Sequence, residues 1–359
     1  MKRFILLLAA LFALWSCCNN TDSPEGTIPI RWDSPASLSH SDLHIVPLAT
    51  DSTSLIGLRS CFITHLPDRY IVADDDKIIC FDKTGKIQSV IAARGRGPQE
   101  AYDMRHIAAT DSTILVADLG RRRTLEFGFD GVFRRAWPTE RPFHHFVWFS
   151  GAILLNNQTG DHHDDCVLPV CDAEGKIIHT PQIPIVGKGL FWESSFFCDR
   201  SGCYHIPSHQ NRVYLINRDF EAEIAYTFDF GNHGVAPEVC EKYAAMENPF
   251  LPFDEYLRSN DKIFFLQFYQ TAKWLHLSFA RGRTDRFNWF MNRETGRQYL
   301  VPVTADGTSP WNHPVIGAED DRFIVKVEAA DYRRWPDCAV EGLTEDSNPV
   351  LLLCSPQED

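Results

Sequence analysis

Long apolar runs and basic charge are both scarce in this sequence. Beyond residue 14 no apolar run approaches the ~18 residues of a membrane-spanning helix, so we expect a chain that is tethered to a membrane at most. The 35 lysines and arginines face 48 acidic residues, which leaves a formal charge of −13. This balance argues against nucleic-acid binding, which depends on basic side chains that neutralise phosphates. The small basic cluster at residues 121–123 is predicted to be a solvated turn.

Catalytic signatures are missing as well. The sequence contains no Gly-x-Ser-x-Gly elbow, no His-Glu-x-x-His helix and no phosphate-binding P-loop. Serine, histidine and aspartate are abundant, but a catalytic trio chosen freely among them would carry no information. We therefore expect a protein that binds rather than one that catalyses.

Long amphipathic helical patterns are nearly absent, and short strand-like runs recur between turns instead. One plan repeats: an apolar run, a polar turn, a second run, a further turn and a third run. It is plainest at residues 70–91, YIVADDDKIICFDKTGKIQSVI, and returns at 114–137, 152–183, 203–228 and 274–303, with a degenerate copy in 322–328 and 348–354. The second turns fall at Gly85, Gly131, Gly175, Asp219 and Gly296, at intervals of 46, 44, 44 and 77 residues. Such a period, with several strands per unit, is typical of a β-propeller.

The sequence therefore predicts an all-β fold, a six-bladed β-propeller over residues 29–359. The long last interval predicts an insertion at about residues 231–262, with a short helix from Pro237 to Met246. The first run of each unit, such as residues 114–117, is apolar without alternation, which predicts an inner strand buried on both faces. We expect an N-terminal strand, LHIVPL at residues 43–48, to close the ring by completing the blade of the C-terminal segment.

The N-terminus has the pattern of a targeting segment. Lys2 and Arg3 precede an apolar stretch at residues 4–14, and Ser16 lies directly before Cys17. This pattern resembles the lipobox of bacterial lipoproteins, in which the cysteine is lipidated. It implies a signal peptide over residues 1–17 and a flexible tether over 18–28. An ordinary secretory signal with cleavage nearby is the alternative.

Residues 114–133, ILVADLGRRRTLEFGFDGVF, resemble an NHL-type repeat: an apolar strand that ends in Ala-Asp, a basic turn, a second strand and an Asp-Gly turn. The whole chain resembles the exported bacterial lipoproteins known as the 6-bladed β-propeller family. The lipobox, RGRGPQEAY at residues 94–102, the insertion and the terminal NPVLLL carry this resemblance. It implies an exported protein anchored by a lipid, in the outer membrane of a Gram-negative bacterium, and it implies no settled activity.

The glycine-rich segment at residues 94–98, Arg-Gly-Arg-Gly-Pro, has two interpretations. A phosphate-binding loop would lead from a strand into a helix, and no helix is predicted after it. We therefore favour a corner at which the chain crosses from the rim of one blade to the hub of the next. Anion binding by Arg94 and Arg96 is the alternative.

Possible ligand and metal residues follow from local composition. GDHHDD at residues 160–165 contains His162 and His163, yet neighbours along a strand or tip point to different sides, which favours a solvated hairpin. Further candidates lie at or after predicted inner strands and in predicted loops. They are Asp118 and His209 for a metal, His209 and Asn211 for a ligand face, and Trp311 for stacking on a sugar or gripping a peptide.

One disulfide can be argued locally. Cys198 and Cys203 flank a four-residue turn that contains glycine, which would place them opposite each other on adjacent strands. Cys166 and Cys171 have the same spacing but are expected along one strand, too far apart to bond.

Two functions remain open. The first is a non-catalytic binding or scaffold lipoprotein of the cell envelope, without a cofactor, whose ligand is a protein, a peptide or a glycan. The second is a propeller hydrolase or lyase of the lactonase type, with a divalent metal in the central channel. Its ligands would come from Asp74, Asp118, Asn156 and His209, which end or follow predicted inner strands.

Overall fold

The computed structural model describes residues 26–57, 62–74, 76–91, 93–139, 145–156, 168–184, 186–187, 190, 196–207 and 209–358. Within them the strands form six sheets, each built mainly from consecutive antiparallel strands. Blade 1 is β3 (Phe62–Leu66), β4 (Arg69–Ala73), β5 (Ile78–Asp82) and β6 (Ile87–Ile91); blade 2 is β7 (Met104–Ala109), β8 (Thr113–Asp118), β9 (Arg123–Gly128) and β10 (Phe133–Pro138); blade 3 is β11 (His145–Phe149), β12 (Ala152–Asn156), β13 (Val170–Cys171) and β14 (Ile177–His179).

Blade 4 is β15 (Phe196–Cys198), β16 (Cys203–His205), β17 (Arg212–Ile216) and β18 (Ala222–Asp229), with β1 (Thr27–Pro29) as a fifth, parallel strand; blade 5 is β19 (Ile263–Gln270), β20 (Trp274–Arg281), β21 (Asp285–Asn292) and β22 (Gln298–Pro302); blade 6 is β23 (Val315–Glu319), β24 (Arg322–Val327), β25 (Val350–Gln357) and β2 (Ser39–Pro47). The first strands of neighbouring blades, from β3 to β23, contact one another around a central axis. The fold is a six-bladed β-propeller, as predicted.

The ring is closed by the N-terminal segment. Strand β2 pairs antiparallel with β25, with Val46 opposite Leu351. The buried side chain of Asn348 reinforces this closure: its Oδ1 accepts a hydrogen bond from the amide of Ile56 at 2.8 Å, and its Nδ2 donates to the carbonyls of Ala49 and Ser54. Strand β1 was not expected, and it begins inside the segment predicted as a flexible tether. The signal peptide and most of that tether lie outside the described residues.

The order of strands within a blade differs from the prediction in one respect. The apolar runs that were assigned as inner strands, such as residues 114–117, belong to the second strands β4, β8, β12, β16, β20 and β24. Strand β8 is buried almost throughout, because it lies between two strands of its own blade and between two neighbouring blades. The true innermost strands are less completely buried, because one of their faces lines the central channel: three residues of β11 are half-buried, whereas all five of β12 are buried.

The repeated hairpin turns have a common chemical basis. Asp82, Asp172, Asn217 and Asn292 each accept, through Oδ1, a hydrogen bond from the amide two residues later. The same turns contain a residue of positive φ, which favours glycine, as at Gly85 with φ of 84°. In blade 4 this position is Phe220, with φ of 66°, one residue beyond the predicted Asp219.

The insertion between β18 and β19 contains two helices rather than one. Helix α1 (Pro237–Ala244) begins at Pro237 as predicted and ends two residues before Met246, and α2 (Phe250–Ser259) follows it. Pro252 lies in the first turn of α2, where the amide has no intrahelical partner. The two helices bury Cys240, Phe253 and Leu257 against Phe264 and Ala280 of blade 5.

Candidate functional site

The connections of the propeller emerge on two opposite faces, because antiparallel strands alternate in direction. One face carries the hairpins within blades, including the Asp/Asn turns. The other carries the links from second to third strands and from one blade to the next, and it holds the helical insertion. We call it the insertion face. His209 and Asn211 lie in the β16–β17 link, and residues 94–102 lie in the link from blade 1 to blade 2, so these sequence candidates share this face.

The central channel encloses about 390 Å³ and is lined by the innermost strands. Its polar lining includes His65, His106 and His145, and the rings of His106 and His145 lie 4.7 Å apart. Burial lowers the pKa of His65 and lowers that of His106 well below its ordinary value, so both imidazoles are neutral at pH 7. No carboxylate belongs to the part of this lining that the structure describes.

The four residues proposed to converge on the axis do not line this channel. Asp74, Asp118 and Asn156 end second strands or follow them, and His209 lies in a link between blade strands. Asp74 accepts the amide of Gly57 at 2.9 Å. The misassigned inner strands explain this outcome, since the end of a second strand lies within the blade rather than at the hub.

Asp118 is fully occupied by structural contacts. Its carboxylate accepts the amides of Tyr102 and Asp103, each at 3.1 Å, and pairs with Nε of Arg123 at 3.0 Å. Its side chain is completely buried, so it holds the blade 1–blade 2 link against β9. In the part of the chain that the structure describes, no three His, Cys, Asp or Glu side chains are grouped to hold a metal ion. His162 and His163 lie outside the described residues.

The segment at residues 94–101 does surround an anion, and the anion is its own Glu100. The carboxylate of Glu100 accepts the amide of Gly97 at 2.7 Å. A Cβ atom on Gly95 would lie 1.9 Å from the same oxygen, so a larger residue there would displace the Glu100 carboxylate from the loop. The loop is thus a corner whose anion-binding amide is occupied by the carboxylate of its own Glu100. Arg94 and Arg96 are exposed beside it, and the amide site that an external phosphate would use is taken.

The cluster at residues 121–123 has a larger role than the predicted solvated turn. The guanidinium of Arg121 donates to the carbonyls of Arg96, Gly97 and Glu100. Arg123 donates to the carbonyls of Pro98 and Glu100. These bonds fasten the corner to the β8–β9 link, and the basic residues therefore satisfy backbone acceptors.

Trp311 lies in the core rather than on a ligand face. Its side chain is fully buried, its ring packs 4.9 Å from that of Phe290, and its indole nitrogen donates to the carbonyl of Ser39 at 3.1 Å. It is therefore out of reach of an external sugar or peptide in this structure. Trp335 is also packed against core residues, with its ring 5.1 Å from that of Tyr332.

A second cavity, of about 340 Å³, opens on the insertion face between blades 4 and 5. We call it the insertion pocket. Its walls are mainly apolar, and its polar residues are clustered on one side. The apolar lining includes Val186, Ile206, Phe230, Val235, Ile263, Phe264 and Leu266, and the polar side consists of His209, Gln210, Asn211, Arg212 and Asp229.

The β16–β17 link presents this polar side in a fixed conformation. Gln210 donates to the carbonyl of Pro184 at 2.7 Å, and Asn211 donates to the carbonyl of Phe228. His209 has a φ of 59°, an uncommon conformation for a residue other than glycine, and its ring packs edge-on at 4.7 Å against Phe253 of α2. The insertion thus helps to hold the link.

Two polar groups at the insertion pocket lack a partner in the described part of the chain. The Nε2 atom of His209 is buried without a hydrogen bond, and burial lowers the pKa of this imidazole to about 3, so it is neutral at pH 7. Arg212 is exposed, and its guanidinium makes no hydrogen bond or ion pair with the described residues. The pocket therefore has an exposed cation, Arg212, beside an apolar cavity, and the neutral imidazole of His209 forms part of its wall. His209 and Asn211 were predicted from the sequence, but the apolar walls were not, because they come from several separate segments: the links before and within blade 4, the insertion and blade 5.

The six sheets around the channel make this protein a six-bladed β-propeller of the mainly-β class. The family model described as Domain of unknown function (DUF4934) matches residues 28–355, and the chain belongs to that family. No curated protein matches the chain.

Two solved structures from Bacteroides share the fold. One is a protein of Bacteroides fragilis NCTC 9343 named "putative exported protein", with a TM-score of 0.77, 17% identity, and coverage of 92% of this chain and 100% of that one. The other is a member of the DUF4221 family from Bacteroides vulgatus ATCC 8482, with a TM-score of 0.56, 8% identity, and coverage of 90% and 99%. Among the described residues, no helix is both long and apolar enough to cross a membrane.

Proposed function

We propose that this protein is an exported lipoprotein of the cell envelope that binds a ligand at its insertion face without catalysing a reaction. The insertion pocket is the ligand site, and the ligand is a peptide segment, either free or part of a larger protein. The observation that carries this proposal is the apolar cavity of about 340 Å³ with the exposed cation Arg212, which has no hydrogen bond or ion pair with the described residues, on one side.

The chemistry of the insertion pocket favours a peptide over a glycan. Glycan sites use exposed aromatic faces, whereas Phe230 and Phe264 are almost fully buried. An apolar cavity of this size accommodates one or two apolar side chains. Arg212 and Asn211, both exposed at the rim, can bond the carbonyl groups of the peptide backbone on either side.

Export and anchoring are supported by the N-terminal pattern and by the fold relative from Bacteroides fragilis, which is named as an exported protein. A lipid on Cys17 would tether the propeller through the segment that precedes β1. The anchor can be tested by labelling cells with a fatty acid and fractionating their membranes. Cys17→Ala should abolish the label and release the protein, while Cys18→Ala should retain both. A persistent label in Cys17→Ala would refute the anchor.

The peptide site can be tested with a library of short peptides, whose binding to the purified chain is measured by fluorescence anisotropy. Gly234→Leu places a side chain at the insertion pocket, and it is sterically feasible because φ is −64° and the new Cβ would lie 3.4 Å from its nearest neighbour. We expect it to abolish binding. Arg212→Ala should weaken binding by roughly ten-fold or more, the loss expected for one hydrogen bond to a charged group.

Arg286→Ala is the matched control. Arg286 lies at the start of β21, the third strand of blade 5, as Arg212 does in β17 of blade 4, and it is also exposed. It should leave peptide affinity unchanged. Equal affinities for the wild type and for Gly234→Leu would show that peptides bind elsewhere, and no binding of any peptide would reject the proposed ligand.

A further inference from the structure

Cys198 and Cys203 lie opposite each other across the innermost hairpin of blade 4. They face each other in the register of β15 and β16, and their Sγ atoms are 2.7 Å apart. Both thiols are free in this structure. The pair predicted from the spacing in CDRSGC is therefore brought together by the fold.

The hairpin register suits a bond between them. The amide of Asp199 donates to the carbonyl of Gly202, so residues 199 and 202 form the hydrogen-bonded pair that ends the ladder. The next facing pair, Cys198 and Cys203, is then a non-hydrogen-bonded pair, in which side chains approach most closely. The Cα atoms of a non-hydrogen-bonded pair lie about 4.5 Å apart, which is within the range of Cα separations that a disulfide bridges.

Access to the two sulfurs is unequal. Cys198 is half-buried and lines the central channel close to the hairpin face. Cys203 is fully buried in the second strand, and burial raises the pKa of its thiol well above the ordinary value. A reagent in the channel can reach the first cysteine but not the second.

The hairpin is also fixed to the neighbouring blade. The carboxylate of Asp199 accepts the amide of Ser201 at 2.7 Å and the Nε2 atom of Gln270 in β19 at 2.7 Å. Gln270 in turn accepts the hydroxyl of Tyr226 at 3.0 Å. The thiols are therefore held in register before any bond forms.

We propose that Cys198 and Cys203 are a thiol–disulfide exchange site, entered from the central channel through Cys198. The co-reactant is a small disulfide of the oxidised-glutathione type. The Cys198 thiolate attacks one sulfur of the donor, forming a mixed disulfide and releasing one donor thiol. Cys203 then loses its proton and attacks Sγ of Cys198, which forms the protein disulfide and releases the second donor thiol. The protein pair is oxidised, and the donor disulfide is reduced to two thiols.

The sequence makes the bond easy to detect. Arg200 lies between the two cysteines, and trypsin divides the region into residues 189–200 and 201–212, each with one cysteine. The full chain is incubated with oxidised glutathione, its free thiols are alkylated, and it is digested without reduction. We expect the two peptides as one linked species that separates on reduction. Two separate alkylated peptides would overturn the proposal.

Single variants test the order of attack. In Cys203→Ser, Cys198 should accumulate a stable glutathione adduct, whereas in Cys198→Ser the buried Cys203 should remain unmodified. Cys338→Ser, which removes a partly buried thiol elsewhere, should form the linked peptides like the wild type. An adduct on Cys203 in Cys198→Ser would refute entry through Cys198. If either variant fails to fold, linkage in the wild-type digest decides the proposal.

Discussion

Phe253 of helix α2 packs against His209, and this contact joins the helical insertion to the wall of the insertion pocket. Its side chain is 1% exposed, and its ring lies 4.7 Å from that of His209 and 5.3 Å from that of Tyr243. Phe253→Ala removes a buried aromatic ring and leaves a cavity, at a cost of about 3–5 kcal/mol. The helices bury a small apolar cluster separate from the larger cores of the blades, so we expect α1 and α2 to detach locally before the propeller unfolds.

Hydrogen exchange measured along the chain checks this expectation. Amides at residues 237–259 should lose protection in Phe253→Ala, while those of β20 and β21 should keep most of theirs, and peptide binding at the insertion pocket should weaken. Leu251→Ala is the control, because Leu251 is 76% exposed in the same helix and should change the free energy of unfolding by no more than about 0.5 kcal/mol. Equal loss of protection in β20 would mean that the insertion is integral to blade 5, and unchanged protection in the helices would refute the packing argument.

Three further predictions follow from contacts elsewhere in the ring. Burial lowers the pKa of His276 to about 3, so between about pH 6.5 and pH 3 the unfolded chain binds a proton that the folded chain does not. The free energy of unfolding should therefore decrease as the pH is lowered through this range, by up to about 1.4 kcal/mol per pH unit from this group. Urea titrations at several pH values should show a weaker pH dependence for His276→Gln. Asp118→Ala should destabilise the protein by about 1–3 kcal/mol, because the amides of Tyr102 and Asp103 lose their buried acceptor and Nε of the partly buried Arg123 loses its ion pair, and denaturant midpoints near the wild-type value would contradict this. Deletion of β2 should expose β25 as an open edge and cause aggregation, which light scattering would detect; a monomeric, folded product would show that closure is dispensable.

The fold could be predicted because its signals are local and repeated. The apolar second strands, the Asp/Asn turns and the glycines of positive φ recur in several blades, as at Asp82 and Gly85. The strand that closes the ring was predictable because an incomplete last blade needs a partner for its edge. The innermost strands were misassigned because first and second strands are similarly apolar, as in HFVWF of β11 and AILLN of β12, and only the fold shows which of the two lines the channel.

The candidate site could be predicted only in part. His209 and Asn211 were found because they follow a strand in a polar link, and the structure places both at the insertion pocket. Trp311 was misplaced because sequence alone does not distinguish a tryptophan in an exposed loop from one that enters the core between blades. Helix α2 was not predicted, and neither was the packing of its residue Phe253 against His209.

The sequence by itself determined the local elements of this protein: the strands, their turns, the insertion and the cysteine hairpin, since each depends on residues that are neighbours along the chain. Tertiary structure alone decided which of those residues meet. Glu100 fills the corner beside it, Arg121 fastens that corner from the next blade, and the insertion pocket joins residues from about 186 to 266. The physical reason is that cavities and buried polar contacts are formed between blades, and packing between distant segments is not encoded in any short stretch of sequence.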